Sequence, residues 1–231
     1  MSNVTPFRRR AAGQPDLPVG RSGRMVTIAF MSRGAGMGRT MLAAHMAAQA
    51  SLTGDGPVGV LDTAPGGDLF HWWTRRQGKM ESPAFGAHCD PADLRLTMEG
   101  MAAAGARLCI IDTADGDATA LAPIAKAADL AVIPSDNDAT SAAEAAVLGR
   151  ELSGNATIAF VVNCRGHSGG EPGNALSAMS GGWPAGTVQH ANAFAIAMTA
   201  GRTVTESQAG GDAARDIAAL WQNLRGILVA G

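Results

Sequence analysis

The stretch Met25–Thr40, MVTIAFMSRGAGMGRT, decides the fold. Its first part, Met25–Met31, is a short apolar run with β-branched members, which predicts a buried strand. Ser32–Gly38 is a Gly-rich turn, and a helical pattern follows from about Arg39 to Ser51. The same alternation repeats along the chain. Val58–Leu61 predicts a second buried strand ending in Asp62, and a helix spans about Asp68 to Gln77. A weaker strand near Ala84–His88 precedes a helix over Ala92–Ala104. Leu108–Ile111 is a strand ending in Asp112, Thr119–Ala127 a helix, Leu130–Pro134 a strand, Ala139–Leu152 a helix and Thr157–Asn163 a strand. Arg165–Gly186, rich in Gly, Ser and Pro, reads as a long surface loop with at most one helical turn. Thr187–Gln189 fits a last short strand, and helices over Ala191–Ala200 and Asp212–Leu228 close the chain. Short, continuously apolar strands alternating with helices mark a sheet covered on both faces. The expected fold class is therefore α/β: a doubly wound, mostly parallel sheet with helices on both faces, in a single domain.

Composition agrees with that reading. A chain of 231 residues supports one sizeable core, and 46% hydrophobic content is too high for a disordered chain. The 30 Gly and 11 Pro follow no fixed period, which excludes collagen-like and solenoid arrays. A net charge of −2 excludes wholesale polyanion binding and leaves nucleic-acid contact to a local patch. Lysine occurs only at Lys79 and Lys126, so nearly all positive charge is arginine. Residues 1–24 carry Arg8, Arg9, Arg10, Arg21 and Arg24 against Asp16, without hydrophobic periodicity. They read as a disordered basic tail, leaving residues 25–231 as the domain. No apolar segment follows that would make a secretory signal, and no run approaches the roughly 18 apolar residues of a membrane span. Cys89, Cys109 and Cys164 form no CxxC pair and read as reduced thiols, so the expected location is cytoplasmic.

The turn after the first strand carries the chemistry. Small residues at Gly34, Ala35, Gly36 and Gly38 let backbone N–H groups turn inward around an anion, and the following helix adds its positive end. Thr40, after the basic Arg39, stands where a phosphate loop places its Mg²⁺-coordinating hydroxyl. A strict phosphate loop has Gly, four residues, then Gly-Lys-Thr. Here Arg33 takes the place of the first Gly and Arg39 that of the Lys. Taken alone, the pattern also fits a plain Gly-rich strand-to-helix turn. Asp62 and Asp112, at the carboxyl ends of two buried strands, are placed to hold a metal-bound water beside a nucleotide.

Together these pieces resemble the ParA/MinD family of deviant Walker P-loop ATPases, which partition plasmids, chromosomes and protein cargoes. That family typically reads KGGxGKT in the loop, DxDPQxSxxxW after the second strand and DTPP after the third. The counterparts here are Gly34–Thr40, the segment from Asp62 to Trp72, and Asp112-Thr113-Ala114. The resemblance continues through Asp129–Pro134 and Val161-Val162-Asn163, where Asn163 matches the family's base-contacting Asn. It extends to Ala193-Phe194, Gly201, Val204 and Glu206, and so covers essentially Met25 to Leu228. It implies a cofactor of ATP or ADP with Mg²⁺, held by Gly34, Ala35, Gly36, Met37, Gly38, Arg39, Thr40 and Asn163. Thr40, Asp62 and Asp112 are implied on the metal side. A homodimer, or a heterodimer with a ParA-like partner, is implied too, with a protein adaptor or cargo and nonspecific DNA contact.

The departures fall in one mechanism. Gly34 occupies the place of the family's signature Lys, Arg39 that of the phosphate-loop Lys, and Ala64 that of the Asp expected to orient the attacking water. Ala114 replaces a Pro and Gly66 a Gln. The planar guanidinium of Arg39 does not replace a compact ammonium between phosphates. Losing charge stabilisation and the water-orienting carboxylate together removes several kcal/mol of transition-state stabilisation, roughly 10³-fold or more in rate. Arg33 stands in for the signature Lys only if the loop shifts, so Arg33 and Arg39 are phosphate contacts at most. The expected function is a ParA-like paralogue with weak or absent hydrolysis that acts through dimerisation and partner binding. An active ParA-type ATPase and a metabolic P-loop enzyme remain as alternatives.

Other residues carry less. Arg8–Arg10 suit DNA, acidic lipid or a partner by charge alone, and equally a solvated tail. Trp72 and Trp73 read as packing residues, and Arg75, Arg76 and Lys79 as a solvated face. His45, His71, His88, His167 and His190 have no partners at metal-ligand spacing. The last helix has an apolar stripe from Ala213 to Leu228 with only Arg215 and Arg225 as basic residues, which fits packing on the sheet and not a membrane anchor. Arg202, Arg215 and Arg225 are the basic residues available for DNA after Arg165.

Overall fold

The strand predicted at Met25–Met31 is the centre of the sheet. The computed structural model describes Leu17, residues 25–78, 80–164, Ala175, Ser177, Met179, and residues 181–189 and 191–230. The strands are β1 (Val26–Phe30), β2 (Val58–Asp62), β3 (Phe85–His88), β4 (Leu108–Asp112), β5 (Leu130–Ser135), β6 (Thr157–Cys164) and β7 (Trp183–Gln189). They form one sheet in the order β3-β2-β4-β1-β5-β6-β7, and every pairing is parallel. The helices are α1 (Arg39–Leu52), α2 (Asp68–Arg76), α3 (Leu94–Ala103), α4 (Ala118–Ala127), α5 (Ala139–Leu152), α6 (Asn192–Thr199), α7 (Val204–Ser207) and α8 (Asp212–Ala230).

Alternation along β1 shows how the sheet is wound. Ile28 and Phe30 point into one core, under α1, α2, α6 and α8, whereas Ala29 and Met31 point into the other, under α3, α4 and α5. Covering both faces requires the continuous apolar strands seen in the sequence, and every residue of β1, β2 and β4 is buried. The abundance of small residues serves close approach. In α1, Ala43, Ala44, Ala47, Ala48 and Ala50 are all buried, so the helix is enclosed on nearly all sides. In α5, a Cβ on Gly149 would lie 2.5 Å from the ring of Phe160, so only glycine lets α5 sit this close to β6.

Several expectations change. The tail read at residues 1–24 lies outside the described residues except Leu17, which packs part-buried against the core under α1. β7 begins at Trp183, so it takes the end of the stretch read as a loop and is longer than Thr187–Gln189; Arg165–Asn174, like His190, lies outside the described residues. The short helix α7 has no counterpart in the sequence reading, though its start carries a capping box in which Thr203 and Glu206 satisfy each other's backbone N–H groups. Among the described residues, no helix is long and apolar enough to cross a membrane. The apolar stripe of α8 is buried through Ile217, Leu220, Trp221 and Leu224, as expected of a helix packed on the sheet.

Two arginines read as surface residues are core ion pairs. Arg76 is 1% exposed, lies 4.5 Å over the Trp72 ring, and donates to both carboxylate oxygens of Glu206 and to the carbonyls of Ser82 and Gly201. Arg225 donates from Nε to Asp55 at 3.0 Å, and Trp221 donates to the same carboxylate. Each pair joins residues more than a hundred positions apart, so spacing along one helix carries no sign of the partner. Lys79, grouped with Arg76 in the solvated face, lies outside the described residues. Trp72 is buried and Trp73 packs part-buried against the core, which is the packing role expected of them.

Candidate nucleotide site

β1 lies between β4 and β5, and the chain leaves β1 toward one side of the sheet and later crosses to the other. The crevice at the carboxyl ends of such strands is where open α/β sheets bind ligands. The loop Ser32–Gly38 fills that position and leads into α1. Gly38, the N-cap of α1, adopts φ +84° and leaves the helix without a side-chain cap. Asp117 and Asp138, by contrast, cap α4 and α5 by accepting backbone N–H bonds. The first N–H groups of α1 are thus free to meet an anion. Gly38 is required twice over, because a Cβ there would also lie 2.1 Å from Asn163 Nδ2.

The side chains around the loop are held as follows. Ser32 Oγ donates to the Gly34 carbonyl at 2.7 Å. Arg39 folds back across its own loop, where Nη1 donates to the Gly34 carbonyl at 3.0 Å and to Ser32 Oγ. Its Nη2 lies 3.5 Å from Asp115 Oδ1. Arg33 turns away and pairs with Glu151 of α5 at 2.5 Å, so it does not replace the missing Lys in this conformation. Gly34 borders open space, with nothing within 4 Å of a Cβ built there. Asn163, expected on a base, instead donates from Nδ2 to the Met37 carbonyl at 3.1 Å and so pins the loop to β6.

The structure brings Thr40 and Asp112 together: Thr40 Oγ1 donates to Asp112 Oδ2 at 2.5 Å. Burial pushes the Asp112 carboxyl up to about 7; the bond from Thr40 lowers it and the nearby charge of Asp62 raises it further. Asp62 does different work. Its Oδ1 accepts the N–H of Ala64 at 2.9 Å, and its Oδ2 accepts those of Leu69 and Phe70 at 2.8 and 3.1 Å. Asp62 thereby anchors the first turn of α2. Sequence reasoning missed Ser32, Asp115 and Glu151. Only Asp115 had a signal, a further carboxylate directly after the strand end Asp112-Thr113-Ala114.

Among the described residues, two buried side-chain atoms lack any hydrogen-bond partner, Arg39 Nε and Asp112 Oδ1. Both belong to this loop and its metal side. An orphaned cationic donor and an orphaned carboxylate oxygen are complementary to a phosphate oxygen and a divalent cation. The residues therefore fit a Mg²⁺-nucleotide. Among the described residues, this site included, no group of three or more His, Cys, Asp or Glu is placed to hold a metal, so protein carboxylates and a hydroxyl would supply only part of a Mg²⁺ shell.

No family model matches the chain, and no curated protein matches its sequence. Solved structures do match in shape. The cell division ATPase MinD of Pyrococcus furiosus superposes with a TM-score of 0.72 at 15% identity, over 87% of this chain and 99% of that one. MinD of Pyrococcus horikoshii OT3, complexed with Mg-ADP, gives 0.69 at 14% identity over 87% and 96%. A ParA family ATPase from Chlorobium tepidum gives 0.67 at 15% identity over 87% and 99%. The chain has the MinD/ParA fold. Identities this low establish the architecture and leave the chemistry to the residues. In this MinD/ParA-like fold the loop after β1 retains its glycines and its Thr40, whereas both expected lysines are replaced.

Proposed function

We propose that the chain is a ParA-like positioning protein with a degenerate nucleotide site. It binds ATP or ADP with Mg²⁺ weakly, hydrolyses ATP little or not at all, and acts as a homodimer, or with a ParA-like partner, on a protein adaptor or cargo. The observation that carries this reading is the orphaned pair Arg39 Nε and Asp112 Oδ1, which a Mg²⁺-nucleotide would satisfy. Thr40 and Asp112 would hold the Mg²⁺, which when bound neutralises phosphate charge. The Gly34–Gly38 backbone and Arg39 would bind phosphate, and Asn163 would keep the loop in register with β6. A MinD of the same fold is complexed with Mg-ADP, which supports a Mg²⁺-nucleotide as the ligand class.

Weak or absent turnover follows from what does not converge on the site. Arg33 is committed to Glu151, Gly34 presents no charge, and Ala64 offers no carboxylate to a water. DNA contact would fall to Arg202 and the exposed Arg215, since Arg225 is buried against Asp55. Calorimetry with Mg²⁺-nucleotide and a phosphate-release assay test the reading together. Binding with negligible turnover supports it, and clear DNA-stimulated turnover of the pure protein refutes it. The variant Gly34→Lys, Arg39→Lys, Ala64→Asp gains turnover if these losses are what silence the site. The open space at Gly34 admits the lysine without a clash.

A further inference from the structure

We propose that the loop selects nucleoside diphosphates over triphosphates and that Asp115 sets this preference. The proposal rests on the nucleotide reading above and adds the ligand class. Asp115 follows β4 directly after the run Asp112-Thr113-Ala114, and its position relative to the loop is fixed by two hydrogen bonds to backbone carbonyls. The N–H of Gly116 donates to the Ser32 carbonyl at 3.1 Å, and Thr113 Oγ1 donates to the Phe30 carbonyl at 3.0 Å. These bonds tie the segment after β4 to the end of β1 and to the start of the loop.

In a phosphate loop the backbone cradles the inner phosphates, and the basic residue before the Ser/Thr reaches the outer ones. Arg39 is that residue here. Its guanidinium lies 3.5 Å from Asp115 Oδ1, which places a carboxylate at the outer-phosphate end of the site. Asp115 is half exposed, yet it stands against a guanidinium that is itself nearly buried. No other cation of the loop lies against it in this conformation: Arg33 points to Glu151 on the surface, and Gly34 has no side chain.

Each added phosphate brings further negative charge to that end. For a diphosphate, Arg39 can remain against Asp115 while Nε meets the terminal phosphate. For a triphosphate, the outer phosphate must either displace Arg39 from Asp115 or sit beside an uncompensated carboxylate. A like charge at contact distance near a protein surface disfavours binding by about tenfold or more.

Isothermal titration of the full chain with ADP and with ATP, each with Mg²⁺, tests this in the wild type and in Asp115→Asn and Asp115→Glu. We expect ADP to bind about tenfold more tightly than ATP to the wild type. Asp115→Asn is expected to bring the ratio to within about twofold, chiefly by tightening ATP, while Asp115→Glu retains the preference. Equal affinities in the wild type, or a ratio unmoved by Asp115→Asn, overturn the inference and leave the nucleotide reading intact. If neither nucleotide binds to any of the three proteins, the nucleotide reading falls and the inference with it. Circular dichroism of each variant confirms that a changed ratio is not a folding defect.

Discussion

His45 makes acid stability a sensitive test of how α1 is seated. The residue is fully buried in α1, its Nδ1 lies 2.8 Å from the Met41 carbonyl, and its Nε2 accepts the Val204 N–H at 3.1 Å. That pattern requires the neutral tautomer with the proton on Nδ1, and the ring packs edge-on against Phe194. Burial pulls its pKa down to about 4 from 6.5; the Met41 carbonyl and the Glu206 charge raise it, and Arg76 lowers it. The folded state therefore resists protonation, whereas the unfolded chain accepts a proton below 6.5. Stability is intact above that value and is lost as pH falls toward 4. The full difference corresponds to about 3 kcal/mol, of which about 2 kcal/mol is lost by about pH 5, where most carboxylates are still ionised. Urea unfolding at about pH 7.5 and about pH 5 measures the loss. His45→Gln, which keeps both a donor and an acceptor, is expected to remove that part of the slope. Imidazole NMR titration reads the group directly. A His45 signal titrating above about pH 6, or a His45→Gln protein with the wild-type slope, refutes the argument.

Three further perturbations have defined outcomes. Asp112 is raised to about 7 from 3.8, so the native state holds a proton that the unfolded chain releases, and stability declines as pH rises between those values. Without Mg²⁺ or nucleotide, Asp112→Asn is expected to stabilise the protein by about 4 kcal/mol at about pH 8, with the gain gone below about pH 4, as followed by thermal melts. Arg76→Met strands Glu206 in the core and is expected to cost about 3–5 kcal/mol in urea unfolding, with much of it recovered in the double variant with Glu206→Gln. Gly38→Ala combines a left-handed backbone with the clash at Asn163, so it is expected to cost about 2–3 kcal/mol and weaken Mg²⁺-nucleotide binding. Adding Asn163→Ala relieves the clash and leaves the backbone part.

The strands were legible because a sheet covered on both faces demands uninterrupted apolar runs, and β1, β2, β4 and β5 fall within a residue or two of their expected limits. β7 was read short because Pro184 and Gly186 are turn residues by local chemistry, and only pairing with β6 holds them extended. The Gly-rich turn from β1 into α1 was legible for the same local reason, since glycines there break an apolar strand before a helical pattern begins. What the side chains of that turn do was not legible. Arg33 and Arg39 look alike in sequence, yet one is taken by Glu151 on α5 and the other by Asp115 after β4. Asp62 ends a buried strand as read, but its three backbone bonds, to Ala64, Leu69 and Phe70, had no local sign because α2 brings two of them in from beyond the turn.

By itself, then, the sequence determined the alternation of strands and longer helices, the Gly-rich loop at the end of β1 and the absence of both expected lysines. Periodicity and residue type fix these over a few neighbouring positions. Only the tertiary structure decided which charges are free. Whether Arg76 and Arg225 are surface or core, and whether Arg33 or Arg39 faces the loop, depends on carboxylates brought in from distant parts of the chain. Burial then makes the Arg76–Glu206 and Arg225–Asp55 pairings obligatory, because an uncompensated charge inside the fold costs more than the chain's marginal stability allows.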